Sequence, residues 1–466
     1  MLWEKQKMFW KAGLAEIRKR RNFLLPAVMG TIVLFAIGCD MYFSEKTDSA
    51  SKNGMDAPET NERGNNLFGE QRIPSGVSPN RHSSDMQRIL ALCSDIYEKA
   101  AESGTLNSFD TVQSVVTRLG ENGYTAVDSK NQINMTNTDH VLKFCEASGA
   151  KKTSTVSSSA STETNLRDSC GEETKLTILA VTYTGGLIKY DFKTEAGNVN
   201  VTRVYCQYED GDWKETETIS FTADAWKYTE EGYLLFGGNY YSESYYILTL
   251  SDVSEQTALR VEPLDEKCRE QNRKCILPAG YQKNNLFLTD WSEEDFNSLN
   301  FYDLFDCFYP LLYQKPIPYV MDDNLGIGAV YRIPAELFEN VIQTYIHIDC
   351  ETLRTYTVYF PEDKTYEYKP RGFNEIEYPE IPYPEVVCYT ENQDGTITLT
   401  VNAVYPDENT SKAFSHEVVI RPLSDEGFQF VSNRVIFSRS EYRMWWHSER
   451  LSEEAWEEIY GVESEN

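Results

Sequence analysis

The sequence predicts an α+β protein in which antiparallel sheets are interspersed with helices. Apolar residues recur at helical spacing over residues 86–97, which indicates an amphipathic helix. Further along the chain, strand-like runs are joined by turn sequences such as Gly185-Gly186 and Asp210-Gly211, which are typical of β-hairpins. Because consecutive hairpins form a meander, we expect antiparallel rather than parallel sheets. We expect an export or anchor segment and a disordered tether before this folded part.

The composition and the charge set limits on the class of protein. The chain has 466 residues, of which 25% are charged and 41% hydrophobic, and a formal net charge of −29. At roughly 150 residues per domain, this length allows two or three domains. The charge is uneven, since residues 1–39 carry a net +5 and the remaining 427 residues a net −34. An acidic surface repels phosphate backbones, so we expect no nucleic-acid partner.

Residues 1–39 have the features of an export signal or a membrane anchor. The basic cluster at 18–21 precedes 17 uncharged residues, 23–39, and Asp40 follows directly, an order that places the N-terminus in the cytosol. This length lies between a cleaved signal and a transmembrane span of about 20 residues, so an uncleaved helix 23–39 and a cleaved signal both stay open. In either case we expect residues 40–466 on the extracytoplasmic face of the bacterial cell membrane.

The end of the apolar stretch resembles a bacterial lipobox. The segment Ala36-Ile37-Gly38-Cys39 places a small residue before a cysteine, and in lipoproteins that cysteine is lipidated and becomes the mature N-terminus. Ala36 departs from the pattern, since Leu is usual at this first position. Three alternatives follow: a lipoprotein anchored through Cys39, an uncleaved single-span helix, and an ordinary signal in which Cys39 has no role.

Shifts in composition divide the rest of the chain into segments. Residues 40–84 are polar, rich in Gly, Ser and Asn, and without apolar periodicity, so we interpret them as a flexible tether. A Ser/Thr-rich run at 151–162 separates two folded parts. The predicted units are a small, mostly helical unit at 85–150, an antiparallel β-rich α+β domain at 175–320 and a C-terminal α+β domain at 325–466.

The predicted helices and strands follow from apolar periodicity and turn residues. Helices are predicted to begin at a capping residue or a proline, such as Ser292 and Pro334. The clearest predicted strand is 396–401, which follows the Asp394-Gly395 turn and alternates Thr with apolar residues. Helices are predicted at 86–97, 107–119, 141–145, 265–275, 292–312 and 334–342, and from 452. Strands are predicted at 124–127, 133–135, 176–181, 187–192, 204–208, 216–221, 233–236, 245–250, 258–261, 355–359, 385–389, 396–401, 418–420 and 428–431.

Cysteine and histidine usage gives no sign of a metal site or a cofactor. Apart from Cys39 there are nine cysteines, none in a Cys-x-x-Cys pair, and the five histidines have no second ligand at metal spacing. Cys268 and Cys275 lie on one predicted helix, about 10 Å apart along it, which is too far for a disulfide between them. We therefore expect buried or incidental thiols and leave one or two disulfides open.

Two tyrosine-rich parts of the chain supply the candidate binding residues. Aromatic rings beside carboxylates can stack on sugars or hold cations, which would suit a glycan or a cationic peptide. The same rings are also ordinary sheet residues. The segment 378–385 nearly repeats a Tyr-Pro-Glu unit and is either a polyproline-like docking strip or a stiff connector. The candidates are Trp226, Tyr240, Tyr241, Tyr378 and Tyr383.

No catalytic signature singles out an enzyme. The chain has no Gly-x-Ser-x-Gly elbow, His-Glu-x-x-His pair, phosphate loop or kinase signature, and the acidic turns at 209–212 and 322–324 lack the ligand order of a calcium loop. The sequence therefore favours a membrane-anchored, non-catalytic binding or interaction module whose partner is an envelope polymer or a protein. Two alternatives stay open, a cell-envelope glycan or peptide hydrolase that uses paired carboxylates, and a purely structural envelope component.

Five segments taken together are similar to a family of uncharacterised exported lipoproteins from anaerobic Gram-positive bacteria. They are residues 265–274, 329–334, 371–373, 378–385 and 394–406, and the likeness covers about 85–460. That family is defined as a domain of unknown function, so the resemblance implies an exported location and no site residues.

Overall fold

A computed structural model describes residues 84–129, 134–148, 152–153, 174–182, 184–319, 328–372, 375, 381–424, 426–438 and 448–460, all of which belong to one compact unit, 78–466. This part of the chain combines α-helices with largely antiparallel sheets, so the predicted α+β class is confirmed. The predicted anchor with Cys39, nearly all of the predicted tether and Cys170 lie outside the described residues.

Ten α-helices lie in the described part of the chain. In the third, Ser108 caps the N-terminus by accepting a hydrogen bond from the amide of Thr111 at 3.2 Å, and Val112, Val116 and Leu119 are buried on one face. The helices are α1 (Ser84–Ala91), α2 (Ser94–Glu102), α3 (Phe109–Glu121), α4 (Thr138–Ala147), α5 (Glu243–Thr249), α6 (Glu266–Gln271), α7 (Phe301–Tyr313), α8 (Ala335–Tyr345), α9 (Cys350–Thr355) and α10 (Glu453–Tyr460). A π-helical turn, Asn272–Ile276, continues α6.

Seventeen strands form four sheets within the described residues. The strands are β1 (Thr125–Asp128), β2 (Lys152–Thr153), β3 (Lys175–Val181), β4 (Leu187–Glu195), β5 (Asn198–Glu209), β6 (Asp212–Thr222), β7 (Ala225–Thr229), β8 (Tyr233–Tyr240), β9 (Val253–Arg260), β10 (Trp291–Ser292), β11 (Tyr331–Pro334), β12 (Tyr359–Phe360), β13 (Thr365–Tyr368), β14 (Tyr383–Glu391), β15 (Ile397–Tyr405), β16 (Thr410–Pro422) and β17 (Phe428–Ser438). Sheet 1 has the order β1-β3-β4-β5-β6, sheet 2 β2-β7-β8-β9, sheet 3 β10-β17-β16-β15-β14 and sheet 4 β11-β13-β12. Neighbouring strands are antiparallel except for β1 with β3 and β2 with β7, which are parallel.

Sheet 1 is covered on both faces. Helices α1 to α3 pack on one face, where Leu119, Leu179 and Trp213 share one buried cluster. Helix α4 and sheet 2 cover the other face, in a cluster that contains residues of all three elements. Asp210 and Gly211 form the turn between β5 and β6, and their φ values of 56° and 79° are the left-handed pair that a type I′ turn requires. The hairpin predicted at this turn is therefore confirmed.

Sheet 3 forms a second core together with α7 and α8. Leu399 and Val401 of β15 are fully buried, and Ile397 packs against the same cluster, so the predicted facing of the 396–401 strand is confirmed. Phe305 of α7 stacks on Phe338 of α8, with the ring centroids 4.9 Å apart. These aromatic contacts fix the position of α7, which carries the charged residues described below.

The predicted strand at 245–250 is wrong, because these residues belong mainly to helix α5. Strand propensity reflects how well a side chain packs on a pleated, half-buried surface, and no residue of α5 is buried. The backbone instead forms a local bond from the amide of Tyr246 to the carbonyl of Ser242 at 2.8 Å. The aromatic and β-branched residues that suggested a strand therefore lie in an exposed helix.

Two further predictions are wrong at element boundaries. The helix predicted from Ser292 begins only at Phe301, because Trp291 and Ser292 pair with β17. The cap is Asn300, whose Oδ1 accepts hydrogen bonds from two backbone amides of α7, each at 3.1 Å. The strand predicted at 355–359 is also misplaced, because α9 ends at Thr355 and β12 begins at Tyr359.

Sheets 2 and 3 meet in a small buried cluster. Tyr233, Leu235 and Ala258 of sheet 2 share it with Val404 of sheet 3. The part of the chain that contains sheets 1 and 2 is therefore joined to the part that contains sheet 3 by a small apolar interface. The domain boundaries predicted at 150–175 and 320–325 stay predictions.

Candidate functional site

Helix α7 places two carboxylates inside the protein. Asp303 and Asp306 lie one turn apart in its otherwise apolar sequence, and Asp303 has no exposed surface. A carboxylate buried in this way is stable only when cations or hydrogen-bond donors surround it. Both carboxylates have such partners, and residues distant in the sequence supply them.

Two arginines hold Asp303. Arg371 donates from Nε at 3.0 Å and from Nη2 at 2.9 Å, one bond to each carboxylate oxygen, and Arg450 donates from Nε at 2.6 Å. Arg450 also pairs with Asp306 through Nη2 and donates from Nη1 to the carbonyl of Lys369 at 2.6 Å. Two acids and two bases thus form one buried network whose formal charges balance.

Burial changes the protonation behaviour of this network. It raises the pKa of Asp306 to about 6, although Arg450 and the Tyr368 hydroxyl, which donates to Asp306 at 2.5 Å, act in the opposite direction. Burial alone would lower the pKa of Arg450, but the charges of Asp306 and Asp303 raise it above its ordinary value. Arg450 therefore stays charged, whereas Asp306 changes its charge near pH 6.

The network borders a cleft formed by two cavities that share Asn300, Tyr302 and Arg450 in their walls. The larger cavity has a volume of about 1020 Å³ and the smaller about 230 Å³. The remaining lining residues of the larger are Asn285, Leu288, Thr289, Ser298, Leu299, Phe301, Asp303, Tyr356, Ser448 and Glu449. Those of the smaller are Val358, Glu367, Lys369, Glu375, Leu451, Glu453 and Trp456.

The glutamates that line the smaller cavity are already engaged by protein donors. Glu375 accepts hydrogen bonds from the amides of Gly372 and Leu451, both at 3.0 Å. The Lys369 ammonium lies 3.5 Å from a carboxylate oxygen of Glu367 and 2.5 Å from one of Glu453. These contacts fix the three carboxylates and offset part of their negative charge.

Trp456 of α10 closes the smaller cavity on one side. The Lys369 ammonium lies 4.4 Å from its ring centroid, a cation–π geometry. Gly328 approaches the ring so closely that a Cβ there would lie 2.3 Å from Trp456 Cζ2. The indole is nine-tenths buried, and its Nε1 donor has no acceptor in the described structure. Buried donors without a partner are rare in folded proteins.

The binding residues predicted from the sequence lie elsewhere, in sheets 2 and 3. Trp226 of sheet 2 packs against Phe192 of sheet 1, with the ring centroids 5.3 Å apart. Tyr240 ends β8, and Tyr241 follows it and is exposed. Tyr383 begins β14, and its hydroxyl lies 3.4 Å from that of Tyr233. None of these described candidates lines the cleft, and Tyr378 lies outside the described residues.

Sequence reasoning did not find the buried network, although one signal for it was present. Asp303 and Asp306 interrupt an apolar helix at a spacing that places both on one face, and a charge at such a position needs a buried partner. The partners Arg371 and Arg450 lie in irregular segments. Nothing in their local sequence marks them, because the contact forms only in the folded chain.

The described residues hold no candidate for a metal site or a membrane-spanning helix. There, His, Cys, Asp and Glu form no group of three that could hold a metal ion, and no helix is long and apolar enough to cross a membrane. The eight cysteines in these segments carry free thiols.

The fold and the cleft define an α+β protein with a charged, aromatic-walled cavity. The chain belongs to the Family of unknown function (DUF6070), whose family model matches residues 80–450. The prediction that the chain belongs to a family of unknown function is thereby confirmed. Comparison with curated proteins and with solved structures gave no match.

Proposed function

We propose that this protein is a membrane-anchored, extracytoplasmic binding protein whose cleft beside Arg450 takes a glycan strand. The anchor would be a lipid on Cys39 or the uncleaved helix 23–39, and the host an anaerobic Gram-positive bacterium. The basic, apolar and acidic order of residues 18–40 and the resemblance to exported lipoproteins support this location.

The observation that supports a binding role is that the three glutamates of the smaller cavity are already held by protein donors. General acid–base catalysis needs a carboxylate that can release a proton to the substrate or activate a water molecule. Glu375 is held by two backbone amides, and Glu367 and Glu453 share the Lys369 ammonium. Because these carboxylates are already held in place, the cleft is preorganised. A preorganised site loses little entropy when a ligand binds, which favours ligand binding.

The cleft chemistry suits a neutral or amine-bearing glycan. Tyr302 and Tyr356 are half-buried aromatic residues of the cavity walls, and such rings can stack on the flat faces of sugars. The charged lining residues comprise five acids and two bases, which disfavours polymers that carry phosphate or carboxylate groups.

Calorimetric titration of the full chain in detergent tests this proposal. The probes are chitotetraose as a neutral glycan, its deacetylated form as an amine-bearing glycan, and tetragalacturonate as an acidic one. We expect saturable binding of the first two and no binding of the third. Binding of the acidic tetramer alone, or of none of the three, would contradict the proposal.

One observation favours a cell-envelope hydrolase as the second candidate. Asp306 pairs with Arg450, which lines both cavities, and burial raises the pKa of Asp306 to about 6, in the range that suits a general acid near neutral pH. Incubation of the full chain with chitotetraose, followed by chromatography, distinguishes the two functions. Shorter products that disappear with Asp306→Asn would favour the hydrolase, and an intact tetramer that still binds would favour the binding protein.

A further inference from the structure

The segment 241–250, which contains α5, exposes an unusual concentration of apolar side chains. Six of the twelve exposed large apolar residues in the described chain belong to these ten residues. The exposed fractions reach 70% for Ile247, 83% for Leu248 and 78% for Leu250, and α5 buries none of its side chains. Clusters of this kind on a soluble surface mark contact with a partner or a membrane.

The backbone at Leu250 indicates that these side chains do not serve folding. Leu250 ends α5 with φ of 56° and ψ of 31°, the left-handed conformation that glycine and asparagine adopt at helix ends. A bulky leucine is strained there, and its exposed side chain gains no burial in return. Glycine or asparagine at this position would relieve both the strain and the exposure.

The charge of this region restricts the partner. No lysine or arginine occurs between Lys227 and Arg260, and Glu243 and Asp252 flank the apolar residues. A basic amphipathic helix would be attracted to anionic lipids, whereas this segment would be repelled by them. A neutral or zwitterionic lipid surface is compatible with both the apolar tip and the acidic flanks.

We infer that residues 241–250 insert into the outer leaflet of the membrane that anchors the chain, an inference that rests on the proposed function. The predicted anchor ends at Cys39, and 44 residues, 40–83, lie between it and α1. If these residues form the flexible tether that the sequence predicts, it would span roughly 35–40 Å on average and would keep the folded part close to the bilayer. Tethering raises the effective concentration of the segment at the membrane surface, so weak insertion is enough to keep the segment in the membrane.

The side-chain types of the segment match the layers of a bilayer surface. Tyr241, Tyr245 and Tyr246 carry rings with polar tips, which suit the headgroup layer. Ile247, Leu248 and Leu250 are purely apolar and suit the acyl boundary. The most exposed residues of the segment are these aliphatic ones and Tyr241, as expected if the aliphatic tip enters the lipid first.

Spin-label accessibility in phosphatidylcholine vesicles tests this inference on the full chain. Leu248→Cys is labelled in a chain that also carries Cys388→Ser, since Cys388 is the exposed native thiol in the described segments. Ile436→Cys is the matched control, because Ile436 is an exposed apolar residue of β17. The Cys388→Ser chain without a new cysteine gives the background.

We expect collisions with oxygen to increase, and collisions with an aqueous nickel chelate to fall, several-fold at position 248 relative to position 436. A vesicle-bound chain with equal nickel access at both positions overturns the inference and leaves the anchor intact. Loss of access to both reagents at 248 indicates burial against protein, such as a second copy, and also overturns it. A chain that does not float with vesicles in a density gradient contradicts both the anchor and the insertion.

Discussion

Arg260 and Glu385 form an ion pair between sheets 2 and 3, with only 2% and 5% of their side chains exposed. The Arg260 Nε donates to Glu385 Oε1 at 2.5 Å, and the Tyr233 hydroxyl donates to the same oxygen at 2.7 Å. The Arg260 guanidinium also lies 4.5 Å from the Tyr233 ring centroid. The pair therefore satisfies the polar groups at the junction of the two halves of the described chain.

Glu385→Gln is expected to destabilise the protein by about 3–5 kcal/mol, because it removes the carboxylate charge that pairs with the buried Arg260 guanidinium. Urea unfolding followed by tryptophan fluorescence measures the change. The matched control is Lys267→Ala, which removes an ion pair with Glu391 whose side chains are 58% and 67% exposed. The control should unfold like the wild type, since exposed pairs contribute little. Equal stability of Glu385→Gln and the control would contradict the structural role of the pair.

The Asp306 carboxyl should make stability depend on pH in a defined direction. Its pKa is about 6 in the folded chain and about 4 when unfolded, so the folded state holds the proton to higher pH. Its contribution is therefore complete below about pH 4 and is lost as the pH rises through 6. The loss is about 3 kcal/mol at most, on the scale of 1.4 kcal/mol per pKa unit.

Asp306→Asn removes this titration and serves as the reference. The free energy of unfolding of the wild type minus that of the variant should fall between pH 4 and pH 6 and stay constant above pH 7. Urea unfolding at each pH gives the difference. A difference that rises with pH over this interval would show that Asp306 is a stabilised carboxylate with a lowered pKa.

Thiol reactivity should separate Cys388 from the buried cysteines. Cys388 is exposed, whereas burial raises the pKa of Cys268 to about 11 and that of Cys93, Cys145, Cys206, Cys275 and Cys307 to about 12. The thiolate is the reactive form, so maleimide at pH 7 should modify Cys388 in the native chain and the other six only after unfolding. Peptide mass spectrometry reads the sites. Rapid native labelling of Cys275 or Cys307 would contradict the described packing.

Mass spectrometry of the mature N-terminus decides between the anchors. A lipoprotein would give an N-terminal peptide beginning at a diacylglycerol-modified Cys39, and an uncleaved helix would give the intact Met1 peptide. We expect one of these two products in the membrane fraction. An unmodified N-terminus beyond Cys39, recovered from the soluble fraction, would contradict membrane anchoring in either form.

Local sequence patterns predicted the parts of the fold that depend on local physics. The Asp210-Gly211 turn and the alternation of Ile397, Leu399 and Val401 identified a hairpin and a strand, because turn conformation and burial on one face leave a direct trace in the sequence. The strand prediction for 245–250 was wrong because the residue types favour strands, whereas the segment has no sheet to pack on and forms a helix. The secondary structure of this segment therefore depends on its tertiary surroundings and not on its residue types alone.

The cleft could not be predicted in the same way, because its residues converge from distant positions. Asp303 is separated from Arg371 by 68 residues and from Arg450 by 147. Only the two acids inside an apolar helix hinted at a buried charge network. The tyrosine-rich segments instead suggested Trp226, whose ring packs between sheets 1 and 2.

Tyr356 provides the most direct test of the glycan-binding cleft, with Tyr359 as its control. Both tyrosines are half-buried, but Tyr356 lines the larger cavity, whereas Tyr359 packs on Arg354 and Tyr366. Calorimetric titration with chitotetraose should show affinity weakened about three- to tenfold by Tyr356→Ala, the loss expected for one aromatic contact, and unchanged by Tyr359→Ala. Equal affinity of both variants and the wild type would contradict the assignment of the cleft as the binding site.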